Sequence, residues 1–220
     1  MCGGRETRTD TEQSVERRRC SYTATAGEVE HCVAGLDDGF FERSWSRALM
    51  VLAVHCWRGG ELCPCRILLD TVEVDGIDAT EAAERLARRA RAERLHLEAL
   101  LTDTVVFAGF NILDPAELQH RLGLPVVVIY WYPPRREAVE RALRLHFPDW
   151  RKRLAILEDV WARLRRVECS RGSLLVAPYG VSYSYAWGLV CRLQLFTRHP
   201  EPLFTAHRAA SMLSRALGPL

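Results

Sequence analysis

Over residues 30 to about 74 the apolar positions run together or alternate, which is a strand pattern, and small turn residues break it. Residues 30–37 (EHCVAGLD) stop at acids and Gly39. Residues 45–57 are long and apolar, enclose His55 and stop at Gly59-Gly60. Residues 65–74 (CRILLDTVEV) are rich in β-branched side chains and stop at Asp75-Gly76. These breaks leave no room for helices, so the three segments are predicted to form an antiparallel meander. The period then changes. Residues 79–93 follow a helical repeat, with Asp78 as N-cap candidate and Glu81 in capping-box position. Residues 97–106 (LEALLTDTVV) read as a buried strand. Asp114-Pro115-Ala116-Glu117 opens a short helix that Gly123 ends, and residues 125–131 (PVVVIYW) form another buried strand. Helices are expected from Pro134 to about 145 and from Pro148 to about 165, then edge strands at 167–169 and 174–177, then helices near 181–196 and 201–217.

A meander that leads into βα units predicts an α/β fold, a mixed sheet covered by helices. The order matches a ribonuclease H-like architecture, and other α/β folds share it. Residues 1–25 are polar and without period, so they read as a disordered tail, and residues 26–220 read as one domain. The longest apolar run, residues 124–132, has nine residues, against the roughly 18 a membrane helix needs. The first twenty residues carry charges and no apolar core, which reads as neither signal peptide nor membrane anchor and predicts a cytoplasmic protein.

Thirty basic side chains face twenty-eight acidic ones, a net charge of +2. That excludes a histone-like protein and an acidic disordered chain, but a local basic groove remains compatible with it. Twenty-nine of the thirty basic residues are arginine, as codon bias alone would produce. None of the eight cysteines forms a C-x-x-C pair, so a zinc site is not indicated. Reduced thiols are expected, with Cys32, Cys56 and Cys191 as small core residues.

The chemistry-bearing residues are acids at strand ends. Asp37 and Asp38 close the first strand, Asp75 and Asp78 follow the third, and Asp103 sits in the fourth. If the first strand is central, the first and fourth are neighbours, and Asp37 and Asp103 converge. Hard carboxylate oxygens there suit Mg²⁺ or Mn²⁺, and such a site serves phosphodiester cleavage. Asp75-Gly76 and Asp38-Gly39 read equally well as turns, and Asp78 reads as a helix cap. The loop Phe107-Ala108-Gly109-Phe110-Asn111 allows close backbone approach to a ligand at Gly109 and stacking on a base. It reads equally as a tight turn with Phe107 and Phe110 in the core.

Six segments together carry a resemblance: LDDGFF (36–41), VDGIDATE (74–81), TDTVVFAGFNILD (102–114), LGLPVVVI (122–129), ALRLHFPDW (142–150) and HPEPLFTAH (199–207). In this order they resemble the endonuclease dU family, formerly domain-of-unknown-function family 99, over about residues 29–217. That family is similar to endonuclease V, a ribonuclease H-like nuclease for deaminated bases. The resemblance implies Mg²⁺- or Mn²⁺-dependent cleavage of nucleic acid, DNA foremost, near uracil or hypoxanthine, as in DNA repair. It places catalytic, metal-binding acids at Asp37 and Asp103, with Asp75 the nearest match to a third. Its P-E-P-x-R-x-A-H motif puts His207 near the site. For such a nuclease the loop with Phe107, Gly109 and Asn111 would face the extruded base, since chemistry on a base requires flipping it from the stack. Thr104 stands where glycine is usual, and Phe204 where arginine is usual. The rival readings are a catalytically silent nucleic-acid-binding module and a protein-interaction module. The oligomeric state is open.

Overall fold

The computed structural model describes residues 31–219; the expected tail lies outside the described residues. Strands β1 (His31–Asp38), β2 (Arg47–Arg58) and β3 (Glu61–Glu73) form the antiparallel meander. Gly59 and Gly60 make its second turn at φ 54° and 84°, the positive pair that a tight hairpin requires. Helix α1 (Ala79–Ala92) then carries the chain across the sheet, and β4 (His96–Asp103) returns parallel to β1. A small hairpin of β5 (Val106–Phe107) and β6 (Asn111–Ile112) precedes α2 (Pro115–Leu122). Strand β7 (Val126–Tyr130) lies parallel to β4. Helices α3 (Arg136–His146) and α4 (Trp150–Arg163), strands β8 (Arg165–Cys169) and β9 (Gly172–Tyr179), and helices α5 (Tyr183–Leu193) and α6 (Glu201–Leu217) complete the chain. The main sheet has seven strands in the order β3-β2-β1-β4-β7-β9-β8. The mixed sheet flanked by helices is thus observed, with β1 and β4 side by side.

Both faces of the sheet are covered. Cys32, Ala34 and Leu36 of β1 point into a core shared with α1, α2, α3 and α4, whereas Val33 points into a second core under α5 and α6. Strand β4 is buried on both sides, which explains its near-continuous apolar run.

Four details differ from expectation. The segment at 174–177 is not an edge strand: β9 pairs with β7 on one side and β8 on the other. Strand β3 starts at Glu61 and runs through Pro64, which is tolerated because β3 is an edge strand and the pairing shifts register beside it. Asp78 does not cap α1 with its side chain. Its carboxylate instead accepts from Glu73 N and Asn111 Nδ2 and meets Arg47, while Asn111 Oδ1 accepts from Ala79 N. The thiols are not all reduced: Cys32 and Cys56 face each other across β1 and β2 and form a disulfide, and Cys169–Cys191 ties β8 to α5. The cap at Asp114 forms as expected, accepting from Ala116 N and Glu117 N at 3.0 Å. Among the described residues no helix is long and apolar enough to cross a membrane.

Candidate active site

The site forms where the parallel strands β1 and β4 end. Leu36 pairs with Thr102, and one further step of that register sets Asp37 beside Asp103, on strands about 4.8 Å apart. Side chains alternate along both strands. Val33 on β1, and Ala99 and Leu101 on β4, enter the α5–α6 core, so Asp37 and Asp103 point to that same face.

Helix α6 lies directly on this part of the sheet because β1 presents glycine there. A Cβ on Gly35 would overlap the Pro202 backbone carbonyl, and one on Gly39 would come within 2.7 Å of Ser214 Cβ. Gly35, Asp37 and Gly39 form one i, i+2, i+4 row under the helix. The close approach brings His207 Nδ1 to 2.8 Å from Asp37 Oδ2. Asp37 is only 8% exposed, whereas the His207 side chain is 63% exposed. Asp103 Oδ2 accepts a 2.6 Å hydrogen bond from Trp131 Nε1, from the residue just past β7. Asp103, Trp131, His199, Leu203, Phe204, His207 and Arg208 line an open cleft of about 380 Å³.

Burial raises the Asp37 carboxyl above the ordinary range, against the pull of the His207 hydrogen bond. Burial also pushes Asp103 up to about 6; the Trp131 bond opposes this and the Asp37 charge reinforces it. Asp38 faces the other side of β1, where burial pushes it up to about 7, and its Oδ2 accepts from Ala108 N at 2.6 Å.

The remaining predicted residues lie on that other side. Asp75, at φ 58°, accepts from Phe110 N through Oδ1 at 2.8 Å and donates its own N–H to Ala108 O. A Cβ on Gly109, whose φ is 90°, would overlap Asp75 Oδ1, so the close approach there is made by Asp75. Phe107 is buried in the core. Asn111 is fully buried, with its amide divided among Ala79 N, Glu73 O and Asp78. The structure therefore brings Asp103 and His207 to the cleft with Asp37 behind His207, and makes Asp75, Phe107, Gly109 and Asn111 the framework of the adjoining loop. Sequence reasoning missed Trp131 and His199. Their only signal is position: Trp131 ends an apolar run whose strand parallels that of Asp103, and His199 precedes the helix that carries His207.

The family model of endonuclease dU matches residues 30–214. The chain belongs to the endonuclease dU family. A UPF0215 protein of Methanothermobacter thermautotrophicus is 37% identical over 180 residues, covering 81% of this chain and 85% of the relative. One from Aeropyrum pernix is 32% identical over 187 residues, covering 83% and 98%. Among solved structures, a protein of unknown function from Archaeoglobus fulgidus matches this endonuclease dU chain with a TM-score of 0.70 at 25% identity, covering 83% of this chain and 97% of its own. Ciona intestinalis endonuclease V, in complex with a DNA containing an inosine followed by a ribo-adenosine, matches with a TM-score of 0.57 at 12% identity, covering 86% and 88%. The resemblance read from the six motifs is confirmed at the level of the family. The likeness to endonuclease V shows that its fold is ribonuclease H-like.

Proposed function

We propose that this protein is a divalent-metal-dependent endonuclease that cuts DNA near a deaminated base, uracil or hypoxanthine. The observation that carries the reading is the Asp37–Asp103 pair, side by side at the strand ends and on one face of the sheet, with Asp103 lining the cleft and Asp37 bonded to the His207 that also lines it. Family membership and the endonuclease V fold support it.

The acids fit a hard cation. Burial raises both carboxyls, and the Asp37 charge adds to the rise at Asp103; among the described residues their side-chain hydrogen-bond partners include His207 and Trp131 and no arginine or lysine. Among the described residues no group of three or more His, Cys, Asp or Glu side chains stands ready to hold a metal alone. Mg²⁺ is commonly held by one or two carboxylates with water and substrate phosphate completing the shell. Asp37 and Asp103 would hold the cation, and we assign Asp75 to the loop it already holds. When bound, Mg²⁺ or Mn²⁺ supplies activation of water and offsets charge on the phosphate.

The chain's own residues do the rest. Ionised Asp37 fixes the His207 proton on Nδ1, which leaves Nε2 free to take or give a proton in the cleft. Trp131 Nε1–H occupies one oxygen of Asp103 and so sets the direction of the other. Helix α6, seated on Gly35 and Gly39, excludes water from behind Asp37.

The test is nicking of a labelled oligonucleotide with one uracil or hypoxanthine, in Mg²⁺, Mn²⁺ and EDTA. Asp37→Asn should cut nicking by roughly 10³-fold or more, since metal stabilisation of the transition state is worth several kcal/mol. Binding should change only a few-fold, because affinity rests mainly on backbone phosphate contacts. Asp103→Asn should behave alike. Nicking that persists in EDTA or in Asp37→Asn overturns the metal reading. Binding without nicking under any condition favours the silent module.

A further inference from the structure

We propose that the cleft beside Asp103 is a stacking site for one unpaired nucleobase, formed by Trp131, His199 and Phe204, with Arg198 and Arg208 on the flanking phosphates. This rests on the reading above that the acids face a nucleic-acid strand.

The three rings form a continuous shelf. Trp131 and His199 are in contact, with centroids 4.1 Å apart and planes at 52°. Phe204 continues the shelf at 6.3 Å from His199. All three line the same cleft as Asp103 and His207. Its volume falls within the range of sites that take small organic groups. Phe204 is the informative member. It lies in the first turn of α6, where Pro202, Leu203 and Ala206 are buried, yet Phe204 is 39% exposed and lines the cleft. A phenyl ring left open beside the Asp103 carboxylate serves no core; it offers a π-face.

Charge identifies the ligand. The Arg198 guanidinium stands 5.6 Å from the Trp131 ring and 5.4 Å from that of Tyr132, and Arg208 lines the cleft beside His207. An aromatic lining of tilted rings with cations at its rim, next to an acid pair suited to a metal and a phosphate, matches the base–phosphate repeat of a nucleotide. A free hydrophobic molecule has no use for the arginines, and a free phosphate has none for the rings. Stacking of this kind tolerates any base and requires only that it be unpaired, so the shelf gives the protein access to single strands, or to a base turned out of a duplex.

The test measures binding by fluorescence anisotropy in EDTA, where no cleavage occurs, with full-length protein and a short labelled single strand. Phe204→Ala should weaken binding roughly 10-fold, within the range for loss of one base–aromatic stack, and Phe204→Tyr should restore it. Removing one base at a time from the strand should reveal one position where an abasic site weakens wild-type binding by a similar factor. Phe204→Ala should be indifferent to that same loss, the non-additivity expected of two groups in contact. Arg198→Gln should instead lower the salt dependence by about one phosphate. Equal binding by wild type and Phe204→Ala, or an abasic effect that survives in Phe204→Ala, overturns the shelf. A duplex arm separates the sources: tight binding only to single strands names an unpaired strand, and an equal abasic effect in duplex names an extruded base. The two readings fail separately. A strand bound through Phe204 and never nicked in Mg²⁺ sinks the nuclease and leaves the shelf; normal nicking without Phe204 dependence does the reverse.

Discussion

His55 lies in β2 with 4% exposure. Its Nε2 meets Thr205 Oγ1 at 3.2 Å, while Nδ1 has no hydrogen-bond partner among the described residues. Burial alone pushes its pKa down to about 4. The unfolded chain therefore takes up this proton near pH 6.5, and the folded one only near pH 4. The neutral ring contributes stability that is intact above the unfolded value and is lost as pH falls through that window, in total about 3 kcal/mol. Asp38 and Asp103 act in the opposite sense. Their raised carboxyls bind protons more readily in the fold, so their contribution is greatest at low pH and is lost as pH rises through about 6 to 7. Wild-type stability mixes the two, and the clean measurement is a difference. The melting-temperature advantage of wild type over His55→Leu should shrink by roughly 5–10 °C between pH 7 and pH 4. A gap independent of pH would mean that His55 takes up its proton inside the fold.

Helix α6 depends on two glycines of a strand. Gly35→Ala places a methyl group against the Pro202 backbone, which cannot rotate away. The helix must lift from the sheet, at a cost of about 3 kcal/mol or more, the upper end of overpacking effects. Urea denaturation should show a lower midpoint at an unchanged slope. Nicking should fall too, because His207 rides on the displaced helix. A variant of wild-type stability would show that α6 is not seated on Gly35. Such contacts mark the limit of what the sequence discloses. The strands and helices were legible because their apolar periods are strong, and β1 beside β4 followed from a meander leading into a βα unit. Asp37 and Asp103 were legible because carboxylates that end apolar strands need a purpose. The seat of α6 was not, since a glycine inside an apolar run gives no sign of what it touches. The Asn111 cap on α1 was hidden because its partner is 32 residues away, and local spacing pointed to Asp78 instead. Trp131 looked like the last core residue of its strand, and only the observed pairing of β7 with β4 puts its indole on Asp103.

Across the whole molecule the net charge is only +2, yet three carboxylates, Asp37, Asp38 and Asp103, gather at the ends of two adjacent strands, Asp37 buried and the other two partly so. Burying their charges opposes folding when the site holds no cation, and the raised pKa values express that cost, with repulsion from Asp37 adding to it at Asp38 and Asp103. A ligand that binds only the folded state adds stability by mass action, about 2.7 kcal/mol at a hundred times its dissociation constant. Mg²⁺ or Mn²⁺ should therefore raise the melting temperature by roughly 5–10 °C at saturation, with no nucleic acid present. NaCl at equal ionic strength should not reproduce the shift, because screening acts weakly on buried charges. Asp103→Asn removes one member of the cluster. Without metal it should melt at or above the wild-type temperature, since a partly buried charge is gone and the amide can still accept from Trp131 Nε1. With metal it should gain little, and the two curves should cross as the cation concentration rises. A cation shift of wild-type size in both Asp103→Asn and Asp37→Asn would put the metal elsewhere on the protein and leave these acids without the ligand their placement predicts.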